Sequence, residues 1–219
     1  MKNVKGWWLP DTDTDFDRWI SDGDYQKIHR DGIMAFLKNE GCEFNNCLDV
    51  GAHVGFWLKD FCKSFKTVYA FEPISDVREC LEKNIEQDNY ILFPFGLGTT
   101  NEKVLVNYMP EETGNTYVSD TGNREIDIRR LDEIKLPKID YIKIDAEGYE
   151  IKVCQGAEEL IARDKPYIHV EVKQKILEKH GLAVVDIERY FEEIGYHKVY
   201  RIKSEYVYAY KKWIHNKRT

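Results

Sequence analysis

The sequence predicts an α/β fold built on a mainly parallel sheet. Short apolar segments of strand length alternate along most of the chain with segments whose apolar residues recur at helical spacing. Strands and helices that alternate in this way give a parallel sheet with helices on both faces. Two departures, over residues 103–131 and near the C-terminus, indicate a small β insert and an antiparallel hairpin. We therefore expect a seven-stranded, mainly parallel sheet with both additions.

The predicted elements follow one another without an internal repeat or a linker. Core strands are expected before Asp49 and at residues 67–71, 91–95, 139–144 and 167–172. Helices are expected at residues 24–39, after Gly55, after a Ser75 cap, after Gly148 and around Ile187. We expect a single domain over residues 1–219, with an N-terminal arm and helix (1–40), a ligand-binding core (45–172), the β insert (103–131), and a C-terminal helix and hairpin (173–219).

The composition is that of a soluble globular protein. Of 219 residues, 42% are apolar and 32% are charged. The net charge of −7 disfavours a protein that coats nucleic acid. Five cysteines form no CxxC pair, which favours reduced thiols. Since no apolar run is long enough to cross a bilayer and the N-terminus lacks a signal-peptide pattern, we expect a cytoplasmic protein with no membrane partner.

The N-terminal arm is rich in Trp and Asp. The spacing of Asp11, Asp13 and Asp15, with Asp22 at the twelfth position, is similar to a calcium loop. Phe16 stands where that loop requires Gly, and the last ligand should be Glu. Two alternatives stay open: an irregular arm whose tryptophans pack on the domain, and a lid over the active site.

A glycine turn follows the first core strand. The segment from Cys47 to Gly55 reads as a buried strand ending in Asp49, a turn with Gly51 and Gly55, and the start of a helix. Glycines without a Cβ allow close approach to the backbone, and the start of a helix offers free N–H groups. Such a unit suits a small polar ligand.

Acidic residues follow four of the five predicted core strands. In a parallel sheet, ligands bind beyond the carboxyl ends of the strands. These acids should therefore meet at one edge: Asp49, Glu72, Asp145, Glu147 and Glu171.

The position of the first acid distinguishes two nucleotide ligands. A dinucleotide-binding turn is Gly-x-Gly-x-x-Gly, whereas here the glycines are Gly51 and Gly55. Asp49 before the turn would repel a pyrophosphate but would suit the ammonium group of S-adenosylmethionine. Glu72 lies about 20 residues further on, the usual separation for a carboxylate that binds a ribose diol.

Four motifs in order carry a family resemblance. They are Asp49-Val-Gly-Ala-His-Val-Gly, Ala70-Phe-Glu-Pro73, Leu131-Asp132 and Tyr141-Ile-Lys-Ile-Asp-Ala-Glu-Gly-Tyr-Glu150. The chain thereby resembles the FkbM family of S-adenosylmethionine-dependent methyltransferases over about residues 45–172. The resemblance implies a Rossmann-like class I methyltransferase fold and O-methylation of a sugar or other small hydroxylated acceptor.

The resemblance also implies a cofactor site. The first motif would surround the methionine part, Glu72 would bind the ribose hydroxyls, and the segment after the third strand would pass near the adenine. His53 replaces the family's usual Asn, and both residues tolerate a left-handed backbone. The expected cofactor-binding residues are Asp49, Gly51, His53, Gly55, Glu72, Pro73, Gly96, Leu97 and Asp145.

Three acids are candidates for catalysis. Transfer of a methyl group to oxygen needs a base for a weakly acidic hydroxyl, and Asp145, Glu147 and Glu171 lie where the reacting atoms should be. A divalent metal held by Asp145 and Glu171 is an alternative, although Val172 occupies the position of an expected amide ligand. His169 is a further candidate base, although we favour the interpretation of a core histidine with satisfied hydrogen bonds. Alternatively, Asp145 has only a structural role, as the N-cap of the helix that begins near Gly148.

Two other functions compete with this one. A nucleic-acid methyltransferase is disfavoured by the charge and by the absence of an Asn/Asp-Pro-Pro-aromatic motif, and is favoured only by a basic tail with Lys211, Lys212, Lys217 and Arg218. A scaffold that binds the cofactor without catalysis is disfavoured because the acids are all retained.

Overall fold

The computed structural model describes residues 1–21 and 25–211. Its strands are β1 (Lys2–Val4), β2 (Trp7–Leu9), β3 (Asn46–Val50), β4 (Thr67–Phe71), β5 (Tyr90–Phe93), β6 (Gly96–Leu97), β7 (Glu102–Asn107), β8 (Tyr117–Val118), β9 (Arg124–Arg129), β10 (Tyr141–Ile144), β11 (Tyr167–Glu171), β12 (Tyr196–Ile202) and β13 (Glu205–Tyr210). Its α-helices are α1 (Asp15–Ser21), α2 (Lys27–Asn39), α3 (Phe56–Ser64), α4 (Ser75–Asn84), α5 (Glu150–Gln155), α6 (Glu158–Asp164), α7 (Gln174–Lys179) and α8 (Val184–Glu193).

The central sheet has seven strands in the order β12-β13-β11-β10-β3-β4-β5. Strands β11, β10, β3, β4 and β5 are parallel to one another, whereas β13 pairs antiparallel with β11 and with β12. The predicted mixed α/β fold is confirmed. The strand order reverses between β3 and β10, which is where an α/β sheet opens a crevice for ligands.

Both faces of the sheet are covered, which explains the nearly continuous burial of its middle strands. All four residues of β10 and the last four of β3 are buried. On one face, Leu48 packs in a cluster with residues of α5, α6 and α8. On the other face, Cys47 packs with residues of α2, α3 and α4. Successive strand residues therefore point to opposite layers.

A second sheet of four strands, in the order β6-β9-β7-β8, forms the β insert. Strands β7 and β9 pair antiparallel, as their alternating pattern indicates. The insert and the N-terminal arm pack together, because Leu9 and Phe16 of the arm share one apolar cluster with Val106 and Ile126 of the insert.

Two local expectations at the strand ends are wrong. Asp49 lies inside β3 and does not follow it. Ser75 is the first residue of α4, and its Oγ accepts a hydrogen bond from Arg124 at 2.8 Å instead of capping the helix. Asp49 and Ser75 each lie one residue away from the position that the sequence pattern predicts.

The aspartates of the arm do not form the calcium loop among the described residues. Asp11 pairs with the N-terminal ammonium at 2.8 Å. Asp13 accepts a hydrogen bond from the backbone N–H of Phe16 at 3.0 Å. Asp22 lies outside the described residues. These carboxylates are therefore used by the chain itself.

The five cysteines are free thiols, four of them buried. Within residues 1–21 and 25–211, no helix has the length and apolar character needed to span a membrane.

Gly51 allows the glycine turn to pass close to the end of β10. Its φ is +74°, and a Cβ there would lie 1.9 Å from the carbonyl oxygen of Asp145. Gly41 has a similar φ of +73°, but a Cβ at that position would have no neighbouring atom within 4 Å. An added Cβ would therefore cause backbone strain at both positions but a steric clash only at Gly51.

We predict that Gly51→Ala lowers the free energy of unfolding by clearly more than Gly41→Ala. The control bears only the left-handed strain of roughly 1–2 kcal/mol, whereas Gly51→Ala also forces the ends of β3 and β10 apart. Urea denaturation of both variants measures the difference. Equal losses would contradict the close approach of the two strand ends.

Candidate active site

A cleft lies at the carboxyl ends of β3, β4 and β10. Its volume is about 1080 Å³, including the part that opens to solvent. The glycine turn, the loop after β10, the β insert and the arm all line it, and Phe16, Tyr25, Phe56 and Trp57 give it an aromatic wall. Since Phe16 and Tyr25 belong to the N-terminal arm and helix, this part of the chain covers part of the cleft.

Glu72 connects the end of β4 to the glycine turn. Its carboxylate accepts hydrogen bonds from the backbone N–H of His53 at 3.0 Å and of Ile74 at 2.9 Å. Burial raises the pKa of Glu72 to about 7. His53 has a φ of +51°, as expected for a turn residue that tolerates the left-handed region. Both side chains line the cleft, which keeps them available to a ligand.

Lys143 lies between Asp49 and Asp145. Its Nζ is 3.5 Å from Oδ1 of Asp49 and 3.5 Å from Oδ2 of Asp145. Asp49 has no exposed surface, it does not line the cleft, and its two carboxylate oxygens make no hydrogen bond among the described residues. Burial raises the pKa of Asp49. Asp145, not Asp49, is thus the carboxylate of this trio that faces the cleft.

The charge on Asp145 is stabilised by two lysines. Burial opposes ionisation, but Lys143 and Lys173 together hold the pKa of Asp145 well below its ordinary value. Asp145 is also not a helix cap, because α5 begins five residues later with Tyr149 at its N-cap. The side chain of Asp145 therefore lines the cleft, where a ligand can contact it.

Lys173 lies between the other two acids. Its Nζ is 2.9 Å from Oε1 of Glu147 and 2.7 Å from Oε2 of Glu171. Burial and the charge of Asp145 raise the pKa of Glu171 to about 10, so that this carboxyl is protonated at neutral pH. The same two causes raise the pKa of Glu147 to about 7. Of the two, only Glu147 can gain or lose a proton near neutral pH.

Glu147 combines three features that are typical of a functional side chain. It lines the cleft, and its φ of +48° is in a region that glycine prefers. Its Oε2 is buried without a hydrogen-bond partner among the described residues. A strained, buried carboxylate with an unused oxygen and a pKa near neutrality is suited to accept a proton.

Glu150 holds the loop that carries Glu147. Its Oε1 accepts hydrogen bonds from the N–H groups of Ala146 at 3.2 Å and Gly148 at 3.0 Å. These donors flank Glu147 on both sides, so Glu150 fixes the backbone around it. Burial raises the pKa of Glu150 to about 7.

The acid cluster does not fit a metal site of the predicted kind. Carboxylate oxygens of Asp145, Glu147 and Glu171 lie within 4.8 Å of one another, which is a spacing that a cation could bridge. The ammonium of Lys173 already contacts two of these acids, Glu147 and Glu171. The positive charge beside these carboxyl groups is therefore the ammonium group of Lys173.

Several other predicted residues fall in different places. Pro73, Gly96 and Leu97 line the cleft, whereas Gly55 packs against Ile85, just beyond α4. The candidate base His169 is fully buried outside the cleft. Its two ring nitrogens form hydrogen bonds with Tyr141 and Glu205 at 2.7 Å each. Neither nitrogen is therefore available to take a proton from the hydroxyl that is to be methylated.

Sequence reasoning missed Lys173 and Thr113. Lys173 lies two residues after Glu171, a spacing that could have placed both on one side of the chain. Thr113 lies in the polar loop of the insert, where no local pattern marks it.

The chain matches one protein-family model and several solved structures. The family model for the methyltransferase FkbM domain matches residues 49–198, more than half of the chain. The chain belongs to the FkbM methyltransferase family. The match begins at Asp49, so the arm that lines the cleft lies outside the matched residues.

Solved structures share the fold of this FkbM family member at low sequence identity. A methyltransferase FkbM from Methylobacillus flagellatus KT is 18% identical with a TM-score of 0.53, and the match covers 76% of this chain but only 43% of that one. Precorrin 8w decarboxylase from Methanobacterium thermoautotrophicum is 14% identical with a TM-score of 0.54, covering 95% and 99%. Magnesium protoporphyrin IX methyltransferase from Synechocystis PCC 6803, solved with bound SAH, is 12% identical with a TM-score of 0.51, covering 91% and 96%. No curated protein sequence matches the chain.

We predict that Glu150 makes the folded protein less stable as the pH rises. The folded pKa of about 7 lies above the ordinary value of 4.5, so between these values the folded state holds a proton that the unfolded chain has released. The free energy of unfolding therefore falls as the pH rises through this window, by on the order of 2 kcal/mol between pH 5 and pH 8.

Glu150→Gln keeps an oxygen acceptor for both N–H groups and removes the titration. Urea denaturation at pH 5 and pH 8 should show a smaller loss of stability in this variant than in the wild type. The same loss in both proteins would contradict the raised pKa.

Proposed function

We propose that this FkbM family member uses S-adenosylmethionine and methylates a hydroxyl oxygen of a sugar or other small hydroxylated acceptor. The observation that carries the proposal is Glu147, a cleft carboxylate with a strained backbone, an unused oxygen and a pKa raised to about 7. S-adenosylmethionine supplies an electrophilic methyl group on a sulfonium when it is bound. The chain must orient the two reactants and take a proton from the acceptor hydroxyl.

The charge of the site supports a cationic ligand. Four carboxyl groups, of Asp49, Asp145, Glu147 and Glu171, surround the two ammonium groups of Lys143 and Lys173. Asp145 is the ionised member of this cluster that lines the cleft. Its charge would attract the ammonium group of a cationic ligand.

The proposed cofactor residues would bind different parts of S-adenosylmethionine. Asp145 would bind the ammonium group, and Asp49 would support it by orienting Lys143. Glu72 would bind the ribose hydroxyls with the carboxylate that also holds the glycine turn. Gly96 and Leu97 would contact the adenine, since they line the cleft together with apolar side chains of the insert.

Glu147 would act as the general base. Its Oε1 is held by Lys173, which leaves Oε2 for the proton of the acceptor hydroxyl. Lys173 would also limit the rise of the Glu147 pKa, because a nearby ammonium favours the charged carboxylate. This mechanism needs no metal, in contrast to the alternative that the sequence leaves open.

The competing functions are less well supported. A nucleic-acid methyltransferase is disfavoured by the net charge of −7, and most of the basic tail (Lys212, Lys217 and Arg218) lies outside the described residues. A scaffold without catalysis would have no use for a strained proton acceptor. We also propose that residues 1–219 act as a single methyltransferase domain, since the arm and the insert share an apolar cluster.

We predict that Glu147→Gln lowers kcat by about 10²–10⁴ while the affinity for S-adenosylhomocysteine changes little, because the amide cannot accept the proton. Turnover is measured as release of S-adenosylhomocysteine on a panel of sugars and small hydroxylated compounds, with nucleic acid as a separate arm. Calorimetry measures the affinity. Glu178→Gln, the same change on the exposed side of α7, is the matched control and should keep wild-type turnover.

A chelator added to the wild-type assay should leave turnover unchanged, because the ammonium of Lys173 occupies the place between the carboxyl groups where a metal would bind. Wild-type turnover in Glu147→Gln would contradict the proposed base. Activity that a chelator abolishes and magnesium restores would contradict the proposed role of Lys173. Failure of the wild type to bind either S-adenosyl compound would contradict the cofactor.

A further inference from the structure

A network of hydrogen bonds links the N-terminal arm, the β insert and the glycine turn. The hydroxyl of Thr113 contacts Oδ2 of Asp13, and Nε2 of His53 lies 2.8 Å from the same hydroxyl oxygen. Asp13 has no exposed surface and Thr113 is 3% exposed. The Asp13–Thr113–His53 network is thus closed to solvent at Asp13, and both Thr113 and His53 line the cleft.

The direction of each hydrogen bond follows from the donors present. A carboxylate oxygen is a hydrogen-bond acceptor, so the single hydroxyl proton of Thr113 is donated to Asp13. The Thr113 oxygen must then accept from Nε2–H of His53. Burial lowers the pKa of His53 to about 4, so the ring is neutral at pH 7 and carries only this one proton. Nδ1 of His53 is consequently a hydrogen-bond acceptor.

The surroundings of His53 point to the group that would donate to Nδ1. The backbone N–H of His53 donates to Glu72, the carboxylate proposed for the ribose hydroxyls. Phe16 covers the imidazole at a ring distance of 4.8 Å, which restricts its rotation. The charged groups that act on the ring from across the cleft are Asp145, Lys143 and Lys173.

We propose that Asp13 and Thr113 are positioning residues that hold His53 in its Nε2–H tautomer, so that Nδ1 accepts a hydrogen bond from one ribose hydroxyl of the bound nucleoside while the other hydroxyl donates to Glu72. This inference rests on the proposed function. It gives the N-terminal arm a part in ligand recognition, although the arm lies outside the residues that the family model matches.

The arm can stay in place when the Thr113 hydroxyl is removed. Asp13 also accepts from the backbone N–H of Thr113 at 3.2 Å and of Phe16 at 3.0 Å. Thr113→Val therefore cuts the connection to His53 and keeps two bonds of Asp13. Thr12→Val is a matched control, because it removes a different arm–insert hydrogen bond, from the Thr12 hydroxyl to the Pro110 carbonyl at 2.9 Å.

The test compares S-adenosylhomocysteine with its 2′-deoxy and 3′-deoxy analogues by calorimetry. The wild type should bind at least one analogue more weakly than the parent compound. In Thr113→Val, we expect this discrimination to shrink by about three- to tenfold, which is the range for loss of one neutral hydrogen bond. Thr113→Ser should restore it, and Thr12→Val should keep it. Thermal denaturation verifies that each variant is folded.

Two outcomes would overturn the inference while leaving the proposed function intact. In one, Thr113→Val keeps the wild-type discrimination against both analogues. In the other, Thr113→Val weakens all three ligands equally, which would make the network purely structural. If the wild type binds none of the three ligands, the proposed function fails and the inference fails with it.

Discussion

The site depends on the balance between buried carboxylates and two lysines at one edge of the sheet. A buried charge without a partner is costly, and the loss of one member of a buried pair commonly costs about 3–5 kcal/mol. Lys143 is placed between Asp49 and Asp145, and Lys173 contacts Glu147 and Glu171. This arrangement keeps Asp145 ionised and leaves the pKa of Glu147 close to neutrality, although the two acids lie two residues apart.

The fold brings these groups together through two kinds of connection. The parallel strands β3, β4, β10 and β11 deliver acids to one edge, as the topology requires. The arm and the insert then cover this edge from segments that are distant in sequence. Asp13 and Thr113 are 100 residues apart, yet they form one buried contact beside His53. The cleft is therefore completed by segments that lie outside the strands and helices of its core.

Periodicity and strand-end acids were sufficient to predict the mixed α/β fold and the edge where Glu72, Asp145 and Glu147 meet. They could not predict which acid faces the cleft, because that depends on where β3 ends: Asp49 lies one residue inside the strand and is paired with Lys143. The contact of Thr113 is long-range and the pKa values depend on burial, so neither leaves a local pattern. Gly55 shows a further limit, because a glycine that packs on an apolar side chain looks the same in sequence as one that contacts a ligand.

The central claim is that burial and charge leave Glu147 as the titrating carboxylate of this cluster. The most direct test is a pH titration of the ¹³C-labelled glutamate carboxyl groups by NMR, with Glu147→Gln used to assign the signal. We predict that Glu147 titrates with a pKa near 7, and that Lys173→Met moves this pKa upward because the stabilising ammonium is lost. A pKa near the ordinary value of 4.5, unchanged in Lys173→Met, would contradict the account.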